Sequence, residues 1–260
     1  MVENIEIRIR LRYDRLQSAL FCRKSIQKLD NAMIHTLHSA TEHQQKETEA
    51  VQQFKTLLAQ NESISLKKNV KHIFKERDKK PNLDLRHFNQ VLSIDTDTYT
   101  AVVEGMTTFY DLVKATLVYD MMPQAVPELR SITVGGAVAG LGGQSSSFKF
   151  GLVHEMVTEF DLLTGTGEVI HCSPEVNSDI FYMLPNSYGS LGYILKCTIK
   201  LNKVSPFVRL DYVRFAQRDA FFEAIEAEVQ LAEADFIEGV SFSPEEFILL
   251  KGNFSETLPA

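Results

Sequence analysis

The chain has 260 residues, 44% of them apolar and 23% charged, and a formal net charge of -7. That length can bury a real core, as one large domain with appendages or as two small ones. The acidic balance argues against nucleic acid as a partner, which would call for a basic face. Cys22, Cys172 and Cys197 are widely spaced with no C-x-x-C; neither a zinc site nor a disulfide framework is indicated, no metal is expected, and a reducing compartment fits best.

From Val2 to about Gln60 there is no proline or glycine, and Ile5, Ile9, Tyr13, Leu16 and Leu20, then Ile26, Leu29, Met33 and Leu37, recur at helical spacing. This predicts one or two amphipathic helices as an N-terminal extension. Glu3, Glu6, Arg8 and Arg10 break any signal-peptide core, and nowhere do ~18 apolar residues run together, so no membrane span and a cytoplasmic location are expected. His35, His38 and His43 lack carboxylate or thiolate company except Glu42 and read as a solvated polar face. Val51, Phe54, Leu57 and Leu58 form a stripe that packs the extension onto the domain. The basic residues Lys67, Lys68, Lys71, Lys75, Arg77, Lys79 and Lys80 read as a solvated edge, with a patch for an anionic partner as the other reading. Pro81 ends whatever precedes it.

Residues 91–94 and 100–103 read as two β-strands around an Asp95 to Thr98 turn, the second ended by Gly105. Thr107 or Thr108 caps a following helix with Phe109, Leu112, Val113 and Leu117 inward. A proline-marked loop, Pro123 to Pro127, then delivers the chain to the stretch of most interest.

That stretch runs from Pro127 to Gly151. Five of the thirteen glycines, Gly135, Gly136, Gly140, Gly142 and Gly143, fall within it with alanines between them, so another surface can approach the backbone closely. Ser131 and Thr133 are placed to cap a short helix through Ala137 and Val138, leaving free N–H groups at its start, a ready anion site. Ser145, Ser146 and Ser147 add hydroxyl donors and Lys149 one positive charge. The stretch reads as a diphosphate cradle or, alternatively, as a glycine-rich packing crossover with no ligand. No G-x-x-x-x-G-K-[ST] is present and the last glycine of G-x-G-x-x-G is missing, which excludes a P-loop and a standard dinucleotide fold.

Beyond the cradle, residues 156–163 and 168–172 read as a β-hairpin about the Thr164 to Gly167 turn. Ser178 caps a short helix that Pro185 stops. Tyr193, Leu195, Cys197, Ile199 and Leu201 alternate with Lys196, Thr198 and Lys200, the pattern of a half-buried antiparallel strand in which Cys197 is a core thiol. A helix is expected over 218–234. Phe242, Phe247, Ile248, Leu249 and Leu250 then form a cluster too apolar for a solvated tail.

From about Ser65 to about Val213 these residues resemble the FAD-binding domain of the p-cresol methylhydroxylase and vanillyl-alcohol oxidase superfamily, closest to the delta(24)-sterol reductase branch. The resemblance lies in Val103-Glu104-Gly105, Val126-Pro127-Glu128-Leu129, Thr133-Val134-Gly135-Gly136, Ser145-Ser146-Ser147-Phe148-Lys149-Phe150-Gly151, Asn177-Ser178-Asp179-Ile180-Phe181-Tyr182 and Gly189-Ser190-Leu191-Gly192, in that order and spacing. It implies an α+β fold: a helical N-terminal extension over 1–60, a two-subdomain FAD-binding domain over 61–205, and the start of a truncated cap or substrate domain over 206–260. It also implies noncovalent FAD, since no histidine sits in a motif for a covalent bond. The implied cofactor-binding set is Pro127, Glu128, Ser131, Thr133, Val134, Gly135, Gly136, Ala137, Gly140, Gly142, Gly143, Ser145, Ser146, Ser147, Lys149, Gly151, Gly189 and Gly192.

The activity so implied is FAD-dependent hydride transfer through flavin N5 to or from an apolar, sterol- or isoprenoid-like substrate. No catalytic role transfers to a residue here; Glu128, His154 and Glu155, in the same segment, read as structural. Eukaryotic sterol reductases are membrane-associated, which leaves a peripheral membrane contact open beside the cytoplasmic reading. The apolar cluster after Pro206 suggests self-association or a partner chain. Two other readings stand: a flavin-binding but catalytically incomplete module whose cap a second chain supplies, and a nonbinding interaction protein.

Overall fold

A computed structural model describes residues 4–10, 24–60, 63–67 and 81–257, with side chains described from Ala40 onward. The Lys68 to Lys80 part of the basic run and the side chains of His35 and His38 lie outside the described residues. The fold is mixed α+β.

Two antiparallel sheets organise the chain. The first has the order β4 (Val91–Asp95), β5 (Thr100–Glu104), β9 (Gly192–Lys203), β7 (Val157–Thr164), β8 (Val169–Cys172), with β6 (Met121–Pro123) pairing the far end of β9. The expected strands and hairpin are all present. Asp95 makes the β4–β5 turn by accepting from the amides of Asp97 and Thr98 at 2.8 and 3.1 Å, as the short side chain of an Asx turn does. Thr108 caps α2 (Phe109–Thr116) by accepting from Asp111 N.

One face of this sheet holds the main core, where Val103, Phe160, Leu162, Ile194, Cys197 and Ile199 meet Phe109 and Leu112 of α2 and Val134 and Val138 of α3 (Val134–Gly140). The opposite face carries Leu163 and Leu195, packed with Leu83, Leu85, Phe88 and, from α1 (Lys24–Gln60), Ala50 and Phe54. The strict alternation expected along residues 193–201 is therefore corrected. The β7–β9 register shifts at Asp161/Leu162, and this bulge sends Tyr193 and Leu195 to the α1 face while Cys197 and Ile199 stay on the other. Burial pushes the Cys197 thiol up to about 12, so it is an inert core thiol. The Val51, Phe54, Leu57 stripe docks α1 as expected, although Leu58 is exposed. A short parallel pair, β2 (Ser65–Leu66) and β3 (Asn82–Leu83), lies between α1 and the sheet in sequence.

The second sheet has the order β1 (Asn4–Arg10), β10 (Phe207–Phe215), β12 (Glu246–Ser255), β11 (Phe236–Ser243). Here the helical expectation for the first residues fails. Ile5, Ile7 and Ile9 alternate with Glu6, Arg8 and Arg10, and the period of two wins because β10 supplies a partner strand. Helix α6 (Arg218–Leu231) ends three residues earlier than expected, at a left-handed Ala232. It covers one face of this sheet through Phe221 on Phe247 and Leu249, and Lys251 donates to Glu228 at 2.6 Å on the same side. Two residues of the supposedly exposed apolar cluster are thus buried, while Phe242 is 67% exposed.

Candidate functional site

The glycine-rich stretch lies on the first sheet where β5 and β9 meet. Thr133, in extended conformation, caps α3 by accepting from Gly136 N at 3.3 Å; Ser131 makes no cap and is exposed. The expected free amides at this helix start are not there. Val134 N donates to Thr107 O at 2.9 Å, Gly135 N to Gly105 O at 2.8 Å and Ala137 N to Thr133 O at 2.9 Å. Tertiary acceptors some thirty residues upstream satisfy what local sequence left open. Nor do all the glycines face a ligand. A Cβ at Gly105 would collide with the Ile194 carbonyl oxygen, one at Gly135 would lie 2.9 Å from Gly105 O, and one at Gly192 would collide with Leu163 O. Gly105 and Gly135 therefore let their own backbones and that of Ile194 stack, Gly192 lets β9 lie close on Leu163, and Val134, Ala137 and Pro127 are buried.

A second part of the stretch stays open. A Cβ at Gly136 would meet only the Thr133 hydroxyl, one at Gly140 only the Tyr188 ring at 3.8 Å, and one at Gly143 only Leu152 at 3.4 Å. Among the described residues no group accepts from the amides of Gly142, Gly143, Ser145 or Ser146. Gly142 O accepts from Val153 N, Ser147 Oγ accepts from Gln144 N at 2.8 Å, and Ser146 Oγ donates to Gln124 O at 2.9 Å, which together pin the loop's path into α4 (Ser147–Phe150). The donors are thus the backbone amides of Gly142, Gly143, Ser145 and Ser146 rather than a helix terminus.

The flanks of this surface are built from both sheets. Tyr188 N donates to Ala139 O at 3.0 Å, bringing the Gly189–Gly192 turn against the end of α3. Ile237 N of β11 donates to Ser145 O at 2.9 Å, and the Lys149 ammonium lies 3.5 Å from Asp235. Lys149 therefore already has a carboxylate partner, on the second sheet. Gly151 has φ 79°, and just beyond it Glu155 accepts from Leu152 N at 2.6 Å, a structural role. His154 Nδ1 is buried and finds no hydrogen-bond partner among the described residues. Glu128 is exposed and makes no ion pair or hydrogen bond among the described residues.

Behind the glycine stack sits a charge cluster that residue patterns did not reveal. Glu104, next to Gly105, is fully buried and accepts from His43 Nδ1 at 2.8 Å, Lys46 Nζ at 3.2 and 3.3 Å, and Gln90 N at 2.9 Å. Burial pushes this carboxyl up, but the His43 and Gln90 hydrogen bonds and the Lys46 charge outweigh it and hold it below the usual carboxylate range. His43 thus belongs to the interior instead of a solvated face. Its partner is 61 positions away, beyond the reach of any local motif.

Residues 74–173 match the family model described as FAD binding domain. The chain is 30% identical to the delta(24)-sterol reductase of Homo sapiens over 162 residues, 62% of this chain and 31% of that protein. It is 28% identical to the delta(24)-sterol reductase of Arabidopsis thaliana over 189 residues, 66% of this chain and 32% of that one. It is also 30% identical to cytokinin dehydrogenase 10 of Oryza sativa subsp. japonica over 161 residues, 59% and 28% of the two chains. The matched stretch thus spans about a third of the length of these relatives.

Proposed function

We propose that this chain, whose residues 74–173 match the FAD binding domain model, binds FAD noncovalently and serves FAD-dependent oxidoreduction of an apolar, sterol- or isoprenoid-like substrate. The observation that carries the reading is the open surface at Gly136, Gly140 and Gly143, where the backbone is bare of side chains and the amides of Gly142, Gly143, Ser145 and Ser146 find no acceptor among the described residues. These residues fit the group: unpaired amides and the Ser145 and Ser147 hydroxyls suit diphosphate oxygens, and side-chain-free backbone suits the approach of a flat ring. When bound, FAD supplies hydride exchange at its N5 position.

The chain's own residues bind and exclude water. The second sheet has α6 on one face only; on its other face Leu210, Phe236, Leu250 and Gly252 line, with Ser145 and Glu238, a cleft of about 180 Å³ beside the glycine loop. An apolar wall next to the cofactor loop supports an apolar substrate and a dry reaction site. We read residues 61–205 as the FAD-binding domain and 206–260 as part of a substrate-side cap. Glu128, exposed at the start of the cradle, is the carboxylate free to serve as proton donor or acceptor; Glu155 is committed to Leu152 N.

The same open face favours a second reading, a flavin-binding module whose apolar wall a second copy or partner chain completes. Purified protein with flavin absorption, released by acid, supports FAD binding, and a colourless protein that takes up no added FAD refutes it. Turnover of a sterol-like substrate by a monomer in light scattering favours the first reading, whereas bound flavin, a larger species and no turnover favour the second. Among the described residues no helix is long and apolar enough to cross a membrane.

A further inference from the structure

The loop after α5 (Ser178–Met183) holds three residues in the left-handed region: Asn186 at φ 62°, Tyr188 at φ 49° and Gly189 at φ 84°. Asn and Gly adopt this region readily, but an aromatic residue does so at a cost of order 1–3 kcal/mol, and such outliers persist where the surroundings impose them. The surroundings here are specific. Tyr188 N is anchored to Ala139 O at 3.0 Å on α3, and Ser187 N and Ser190 N close the loop on Leu184 O and Ser187 O, each at 3.0 Å.

What the strain achieves is the presentation of a ring. Tyr188 is 61% exposed, an arrangement that packing alone does not reward. Its ring edge lies 3.8 Å from the position of an imagined Cβ on Gly140, so the aromatic group borders the side-chain-free surface at Gly140. Leu141, itself left-handed at φ 57°, turns the chain away just beyond it. In the same loop the Ser187 hydroxyl is buried and finds no hydrogen-bond partner among the described residues.

We infer that Tyr188 is a stacking platform for a flat ring of the bound cofactor, and that the left-handed backbone exists to hold its phenol ring over the glycine surface. The inference rests on the FAD reading above. Aromatic rings prefer offset-stacked or edge-on contact with flat partners at centroid distances of about 4.5–7 Å, and ring stacking tolerates either the flavin or the adenine of FAD. Tyr188 is in this sense a binding residue supplied by loop 184–192, whose Leu184 and Leu191 anchor it to the main core.

The test uses the full chain and FAD titrations of wild type, Tyr188→Asn and Tyr188→Phe. Asn suits the left-handed backbone, so Tyr188→Asn removes the ring without imposing new strain and should unfold at no lower urea concentration than wild type. The expected result is FAD binding weakened about tenfold in Tyr188→Asn and kept within about twofold in Tyr188→Phe, which retains the ring. Flavin emission identifies the ring: brighter flavin in both variants supports stacking on the isoalloxazine, which a nearby phenol quenches, and unchanged emission with the same affinity pattern supports stacking on adenine. Equal dissociation constants for wild type and Tyr188→Asn overturn the inference. So does a Tyr188→Phe as weak as Tyr188→Asn, since the hydroxyl and not the ring would then make the contact. A wild type that takes up no FAD overturns the functional reading itself, whereas a binding wild type with an unaffected Tyr188→Asn overturns the stacking alone.

Discussion

Replacing Lys46 by Met tests how far the glycine surface depends on the helix behind it. Lys46 is 8% exposed and its ammonium meets both oxygens of the fully buried Glu104 carboxylate. Removing a partner outright from a buried ion pair costs about 3–5 kcal/mol, because a charge is left uncompensated. Here His43 Nδ1 and Gln90 N remain on the carboxylate, so the loss resembles that of one hydrogen bond to a charged group, about 1.5–3 kcal/mol. We therefore expect Lys46→Met to lower unfolding free energy in urea by about 2–3 kcal/mol, a large part of the total for a domain of ordinary stability. Glu104→Gln on its own leaves the Lys46 ammonium only the half-exposed Glu42 carboxylate, 3.2 Å away; combined with Lys46→Met it should cost at least about 1 kcal/mol less than the sum of the single changes. The acid limb checks the same idea. Glu104's folded-state pKa is lowered, so its contribution is present above the unfolded value of about 4.3 and is lost as pH falls through the folded value. Lys46→Met should lose less stability than wild type between about pH 5 and 3. Additive single mutants, or a Lys46→Met within about 0.5 kcal/mol of wild type, would refute the reasoning.

Two further substitutions separate the roles of the glycines. Gly105→Ala drives a Cβ into the Ile194 carbonyl and should destabilise the apo protein by about 3 kcal/mol, read as a shifted urea midpoint. Gly136→Val meets only its own cap hydroxyl, so it should fold yet lose FAD uptake in a spectroscopic titration; unchanged affinity would move the cradle elsewhere. Lys149→Met, given the half-exposed pair with Asp235, should change stability by no more than about 1 kcal/mol and leave FAD affinity unchanged. A tenfold loss of affinity would place that ammonium on the diphosphate instead.

Where local chemistry decided the outcome, it was legible in the residues. Val91 to Asp95 and Thr100 to Glu104 are β-branched around an Asx turn, and the 157–172 hairpin carries its own Thr-Gly-Thr-Gly turn, so both appeared as expected. The glycine run was visible as a close-approach surface, but the division of labour within it was not. Whether Gly135 faces a ligand or Gly105 depends on a backbone thirty positions away. The α3 amides were misjudged for the same reason, since Thr107 O and Gly105 O claim them. In β9 one bulge rotated Tyr193 and Leu195 to the other face, something strict alternation does not encode. In residues 4–10 an isoleucine every second position also satisfies a spacing of four, and β10 broke the tie.

The pairing of β1 with β10 also bears on how the protein comes to be. Asn4 lies opposite Val213 and Arg10 opposite Phe207, so β1 has no partner until some two hundred further residues have been made. At about 5–20 residues per second on the ribosome, that wait is on the order of 10–40 s. Throughout it a strand of alternating isoleucines is at risk of pairing with the wrong neighbour, and the charges of Glu6, Arg8 and Arg10 on its intervening positions act against that. β1 is thus among the last strands to find its place, and the second sheet closes only after the segment that matches the FAD binding domain model has been made.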